Sequence, residues 1–506
     1  MMRRRRWAGA LLAALLGTSC AVAEAPGGTT TAAAPAVAPA APALQPAAES
    51  PSVESPAAAA AAAAAPASGA TQSSAPGSVG ASGAAASGAP VTATTVAAQP
   101  GGARSAAAAR PGAASATTVT SLPAAAQGAG AAAGPDNSDV GVTADTIKVG
   151  AILPLSGPIG PYGKPWLEAL ETPFRRASDA GGINGRRFEF LFCDDAFQGD
   201  RALACAKKLV DQDKVFLIMN PGSAGGSPAS LPYIIQRGVP SGSALGFNPE
   251  EFTSPLVFPM TASGGTQGHL GERFMAKNLG VKKVGMVVLG NVEAATVVAQ
   301  GFREAAAKDG LSVTEVTINF QDADCSAQMV QLQSRQPESV FLATDASTAI
   351  KCFTAANNLG YKPPKQFVSP IPQYIDLVPQ YGGAAAEGSY AMTVNNTPDT
   401  ASGGFIAEYL SRVKAYYPDH RWWAETPAFY AGAQLTVDVL RTLGRNVTRQ
   451  RFVDGMNTVT NGVPGLGVDI TYRPGPHDPN RQGAMLQIQG GKFVPVTGFV
   501  RDEFSR

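Results

Sequence analysis

The sequence predicts an α/β protein made of two doubly wound Rossmann-like lobes, and three observations carry that expectation. The first is the stretch from Ile147 to Asp195. A strand-like run, Ile147–Leu153, breaks at Pro154-Leu155-Ser156-Gly157 and passes Tyr162-Gly163 into a helical segment. The chain then turns at Gly181-Gly182-Ile183-Asn184-Gly185-Arg186 and enters a second apolar run, Phe188–Phe192, ending in Asp194-Asp195. A short apolar run, a Gly/Pro break, a helix and another apolar run form one unit of a parallel sheet. The second observation is recurrence. Val215–Met219 precedes a helical Ser223–Arg237, Val284–Leu289 precedes Val292–Lys308, Ser312–Asn319 precedes Cys325–Ser334, and Ser339–Ala343 precedes Thr348–Leu359. The third is size: roughly 360 residues with this pattern exceed one ordinary core and suit two. Right-handed crossovers then give two parallel sheets with a cleft between them, and ligands of such sheets sit beyond the carboxyl ends of the strands.

The N-terminal part reads differently. Arg3–Arg6 followed by the apolar Trp7–Leu16 makes a secretory signal, too short to stay as a membrane span. Leu16-Gly17-Thr18-Ser19-Cys20 resembles a bacterial lipobox with Cys20 as the lipid-attachment residue, although Gly17 stands where an aliphatic residue belongs. Ala21-Val22-Ala23 offers a competing cleavage site. From about Ala21 to Pro135 the chain is almost entirely Ala, Pro, Gly, Ser, Thr and Val, with Glu24, Glu49, Glu54, Arg104 and Arg110 its charges. Such a segment cannot bury enough apolar area to offset chain entropy, so it reads as a disordered tether. The expected division is 1–23 signal, 24–140 tether and 141–506 a two-lobed domain.

Five cysteines occur in the chain. With Cys20 set aside, Cys193, Cys205, Cys325 and Cys352 remain, an even set that suggests disulfides in an exported protein. Four thiols allow three connectivities, and proximity favours Cys193–Cys205 and Cys325–Cys352. No cysteine pair has metal-ligand spacing and His269, His420 and His477 are scattered, so no metal is expected. A formal net charge of +1 with dispersed lysine and arginine gives no support to nucleic-acid binding. Nucleophile-elbow, zinc-protease and Walker motifs are lacking, so no catalytic residue or cofactor is assigned. The carboxylates Asp194-Asp195 end a strand on opposite faces and read as structural.

In the order of these elements the chain from Thr146 onward resembles the type I periplasmic solute-binding proteins, the branched-chain amino-acid receptors of ABC importers. The resemblance implies a hinge of three segments near Pro259–Ala262, Ala391–Val394 and Gly465–Asp469. That gives one lobe at about 145–260 and 394–466 and the other at about 261–393 and 467–500, and the closing piece, Val468–Tyr472, Ala484–Ile488 and Lys492–Val496, reads as short hairpin-type strands. It also implies a small-molecule ligand and ABC permease subunits as partners for an exported protein of the cell surface or periplasm, with the lipobox-like Cys20 as the expected anchor to the cell membrane. A ligand-sensing or scaffold module uncoupled from transport is the alternative.

Site residues follow from the same register. Tyr162 matches a tyrosine lining the ligand site, and Ser223 with Ala224, in Pro221-Gly222-Ser223-Ala224-Gly225-Gly226-Ser227, matches a carboxylate-holding turn at a helix start. Elsewhere the chain departs from the amino-acid pattern. Leu245-Gly246-Phe247 replaces an Ala-Ala-Thr turn, so Phe247 stands where a donor belongs. Ser369-Pro370-Ile371-Pro372-Gln373-Tyr374 puts Ile371 in place of the acid that pairs the α-ammonium, with Gln373 beside it. Asn291-Val292-Glu293 stands in a shortened loop. An unpaired buried ammonium is costly, so Asp345, from a neighbouring loop, is the expected substitute. These departures predict a ligand less polar than leucine: an aromatic or aliphatic acid or amide.

Overall fold

The computed structural model describes residues 139–244, 246, 248–370, 375–401 and 403–504. The signal, Cys20 and nearly all of the tether-like segment lie outside the described residues.

The first sheet is built where the sequence alternates apolar runs with helices. Its elements are β1 (Thr146–Leu153), α1 (Gly160–Asp179), β2 (Arg187–Asp194), α2 (Gly199–Lys207), β3 (Leu217–Pro221), α3 (Ser227–Gln236), β4 (Ser241–Ala244) and β5 (Val257–Pro259). The strands run parallel in the order β2-β1-β3-β4-β5. Central β1 and β3 are covered on both faces, which is why they read as unbroken apolar runs.

The second sheet follows the first crossing. It uses α4 (Gly264–Arg273), β6 (Lys283–Leu289), α5 (Glu293–Asp309), β7 (Ser312–Ile318), α6 (Ser326–Arg335), β8 (Ser339–Ala343), α7 (Ala346–Asn358) and β9 (Phe367–Ser369). The short helices α8 (Leu377–Tyr381) and α9 (Gly383–Ala386) lead into β10 (Tyr390–Thr393). The chain then returns to the first lobe for α10 (Gly404–Lys414), α11 (Thr426–Thr442) and α12 (Arg449–Met456). It finally adds β11 (Gln482–Gln489), β12 (Lys492–Pro495) and β13 (Val500–Arg501) to the second sheet. That sheet runs β12-β11-β10-β9-β8-β6-β7, parallel from β7 to β10 and antiparallel beyond, with β13 paired to β11. Each sheet has its own apolar core.

Three expectations are corrected. Val468–Tyr472 forms no strand. Its alternating Val468, Ile470 and Tyr472 are buried in the first lobe's core without a ladder partner, and the Tyr472 hydroxyl donates to the Pro259 carbonyl at 2.8 Å. The third crossing therefore falls between Tyr472 and Gln482, later than Gly465–Asp469. The helix expected from Ser223 begins at Ser227, because Ser223–Gly226 forms a separate turn in which the Ser223 carbonyl accepts from the N–H groups of Gly226 (2.9 Å) and Ser227 (2.7 Å).

Both disulfides form. Cys193 at the end of β2 bonds Cys205 of α2, with Cα atoms 5.6 Å apart, and Cys325 before α6 bonds Cys352 of α7, at 4.8 Å. Each staples a strand end or loop to a helix of its own lobe.

Candidate functional site

The carboxyl ends of both sheets face a common cleft, and acidic residues at strand ends shape its loops. Asp194, opposite Leu153 across the β1–β2 ladder, accepts from the N–H groups of Leu155 (2.8 Å), Ser156 (3.1 Å) and Ala196 (2.9 Å), and from the Ser156 hydroxyl. Burial works to raise its pKa, but these donors outweigh burial and hold it below the ordinary value. Asp195 accepts from the N–H of Ser223 (2.7 Å) and of Phe197 (2.9 Å); here desolvation prevails and the pKa is raised. The adjacent carboxylates thus fix three cleft loops, the structural role their strand-end position suggested. Gly226 is required beneath them, since a Cβ there would run into the Asp195 carboxylate and the Ala202 methyl.

Between the lobes lies a pocket of about 90 Å³. The first lobe contributes Ile159, Tyr162, Trp166, Phe197, Ala224 and Glu425; the second contributes Leu289, Val292, Phe320, Thr344, Asp345 and Pro370 among others. Its walls are predominantly apolar. Tyr162 packs against both cores, its ring 4.3 Å from that of Trp423 and 6.0 Å from that of Trp166. Phe197 and Phe320 meet across the lobes at 5.7 Å. Phe320 is held there by Asn291, whose carbonyl oxygen accepts from the Phe320 N–H at 3.0 Å, so the shortened loop after β6 has a positioning role.

Three polar groups define the pocket's electrostatics. Glu425, at the N-cap of α11, is only 5 % exposed. Desolvation pushes its pKa up to about 7, against smaller opposing effects of its own backbone N–H and the Trp166 indole. Neither Glu425 Oε2 nor Trp166 Nε1 meets hydrogen-bond geometry with a partner among the described residues, although the indole N–H is near enough to the carboxyl to favour its ionised form. The Tyr162 phenol is raised well above 10 by desolvation, then by the charges of Asp345 and Glu425. Asp345 caps α7, accepting from the N–H groups of Ser347 (2.9 Å) and Thr348 (3.1 Å) and from the Ser347 hydroxyl (2.6 Å).

A buried relay supports the Glu425 loop from behind. Glu168 Oε2 lies 2.7 Å from His420 Nδ1, His420 Nε2 lies 2.6 Å from the Tyr409 hydroxyl, and Tyr409 donates to Thr426 at 2.8 Å. Thr426 Oγ1 in turn bonds both the N–H (2.9 Å) and the carbonyl (2.8 Å) of Trp423. Burial lowers the His420 pKa despite its Glu168 partner.

Of the residues anticipated from sequence, Tyr162, Ala224 and Asp345 line the pocket. Ser223 does not: it is fully buried beneath the turn, its N–H taken by Asp195 and its hydroxyl packed against Gly226. Leu245, Phe247, Ile371 and Gln373 lie outside the described residues. Sequence reading missed Trp166, Phe197, Phe320 and above all Glu425. A signal for the last was present, because Trp422-Trp423-Ala424-Glu425-Thr426-Pro427 places an acid and two aromatics at a Pro-marked helix start.

Two α/β lobes joined by three crossings, with an apolar pocket at the facing strand ends, have the architecture of a two-lobed ligand-binding protein. The chain belongs to the periplasmic binding protein family, which it matches over residues 146–492. It is similar to the leucine-, isoleucine-, valine-, threonine- and alanine-binding protein of Pseudomonas aeruginosa, 29% identical over 153 residues, covering 29% of this chain and 39% of that one. It is also similar to Leu/Ile/Val-binding protein homolog 3 of Brucella melitensis, 27% identical over 200 residues, covering 38% and 53% respectively. The chain thus spans about half or less of the length of these relatives. Among solved structures, the fatty acid ABC transporter substrate-binding protein from Thermomonospora curvata superposes with a TM-score of 0.65 at 21% identity, covering 74% of this chain and 97% of that one. The R. palustris solute-binding protein in complex with benzoate gives 0.59 at 21% identity, covering 71% and 98%. The isoleucine complex of the branched-chain amino acid transporter substrate-binding protein from Streptococcus pneumoniae gives 0.60 at 21%, covering 71% and 100%. These likenesses establish the fold.

Proposed function

We propose that the protein is the extracytoplasmic substrate receptor of an ABC importer, capturing a small organic ligand with a large apolar part and handing it to permease subunits. The observation that carries this reading is the pocket itself: apolar walls drawn from both lobes at the strand ends, with Tyr162 touching both cores. Ligand settles on the first lobe beside Tyr162, Trp166 and Ala224. The second lobe, with Leu289, Phe320 and Asp345, then closes by bending at the three crossings. No chemistry is performed on the ligand. Permease subunits read the closed form. Export by the N-terminal signal, anchoring through Cys20 and the tether function of residues 24–140 belong to the same proposal. A pocket of about 90 Å³ is smaller than the roughly 150 Å³ engineered cavity that holds benzene, so a guest carrying even one benzene-sized ring requires wider lobe separation.

The test is a thermal-shift screen of the full chain against amino acids, amines, amides, carboxylates and short lipids. A specific ligand raises the melting temperature by mass action, and solution scattering then shows a more compact domain. Failure of every class to stabilise the protein would remove the capture reading.

A further inference from the structure

Glu425 is chemically out of place in an apolar pocket. Its side chain is 5 % exposed, lines the cavity, and leaves Oε2 without a partner among the described residues. A buried carboxylate oxygen without a donor is expensive and calls for an explanation in function. The one other acid of the lining, Asp345, comes from the opposite lobe, and no lysine, arginine or histidine lines the cavity among the described residues. The charges of both acids reach the Tyr162 phenol, so both carboxylates act on the same part of the pocket. Rings of Tyr162, Trp166, Phe197 and Phe320 complete the walls. Aromatic faces attract cations, more strongly where water is excluded.

Resting on the capture reading above, we propose that Glu425 is a specificity-determining residue and that the ligand is a small organic cation, a protonated amine carried on an apolar group. Its N–H groups donate to Glu425 Oε2 as the lobes close, and Asp345 adds long-range attraction while remaining bonded to its helix. A ligand carboxylate gains nothing here, because two acids and no basic side chain face it. This replaces the acids and amides expected from sequence with a cationic ligand.

Three compounds of one shape separate the possibilities: isopentylamine, isovaleramide and isovalerate, titrated by calorimetry into the full chain and into Glu425→Gln at pH 8. Truncating one partner of a buried charged pair is a large effect, so the amine is expected to bind the native protein at least about tenfold tighter than amide or carboxylate. The same substitution is expected to weaken the amine by at least about tenfold while leaving the amide within about threefold. The ranking in the native protein stands as a test by itself should the variant fold poorly. Tightest binding by isovalerate, equal binding of all three, or unchanged amine affinity in Glu425→Gln overturns the cation assignment and leaves capture intact. Binding of none of the three overturns the cation assignment, and the thermal-shift screen then decides the capture reading separately.

Discussion

Glu425→Gln should stabilise the ligand-free protein in a strongly pH-dependent way. The carboxyl's pKa is raised from 4.5 to about 7 in the fold, chiefly by desolvation. A raised folded value means that the native state holds the proton more tightly than the unfolded chain. The associated stability is fully present below pH 4.5 and is lost as pH rises through 7. A shift of that size at 1.36 kcal/mol per unit is worth about 3 kcal/mol. The glutamine cannot ionise, so the variant escapes this loss; its partnerless amide N–H groups cost about 1 kcal/mol at every pH. With about 2.1 cal/mol/K of unfolding entropy per residue over roughly 360 residues, 3 kcal/mol corresponds to about 4 °C in melting temperature. The assay is thermal unfolding of both proteins from pH 4.5 to 8.5, plotted as a difference. Tyr162, raised well above 10, is silent in this window, and Glu251 and Glu272, both raised to about 7 by burial, contribute equally to the two curves. A difference that grows by about 4 °C between pH 4.5 and 8 supports the reasoning. Parallel curves would mean that Glu425 is not desolvated in solution, and the cation site would fall with it.

Gly268→Ala should cost about 3 kcal/mol or more, read by chemical denaturation, because a Cβ at that point of α4 would strike the Val298 carbonyl and Phe302 amide of α5. Replacing Cys325 and Cys352 by serine should lower stability by about 3.5 kcal/mol for the 27-residue separation, and replacing Cys193 and Cys205 by about 3 for 12, each checked against reduction of the native protein. Asp195→Ala removes the acceptor of two cleft-loop N–H groups; it should cost about 2 kcal/mol in denaturation and weaken whatever ligand the thermal screen identifies. Equal stability of that variant would show that the loops hold themselves.

The fold was legible because its signals are local and repeated. Ile147–Leu153, Val284–Leu289 and Ser339–Ala343 are buried runs between helices, and the structure makes each a strand within a residue of the expected bounds. The cysteine pairs were legible for the same reason, each joining neighbouring elements. Val468–Tyr472 shows the limit of alternation as a signal: period two reports one buried face, whether or not a neighbouring strand supplies hydrogen bonds. The site was legible only in part, because pocket membership depends on side-chain direction and on contacts far apart in sequence. Ser223 sat in a plausible anion turn, yet Asp195, 28 positions earlier, claims its N–H. Asp345 carried the expected charge, but its lone pairs serve the α7 cap. Glu425 is remote in sequence from the Gly-rich turns that draw attention, and is brought to Tyr162 only by packing of α11 against α1.

That packing also gives closure its energetic logic. A ligand can drive the lobes together only through affinity it has for the closed arrangement and lacks for the open one. Apolar walls supply part of this, because Leu289, Val292 and Phe320 of the second lobe complete the pocket begun by the first-lobe aromatics. In the lobe arrangement described, Glu425 is already desolvated, so its carboxylate is costly above pH 7. A cation on the ligand reverses that sign: the more completely water is excluded, the more the Glu425 attraction is worth. On the proposed reading, the same carboxylate disfavours this lobe arrangement without a cation and favours it with one, a selectivity that an entirely apolar pocket would lack.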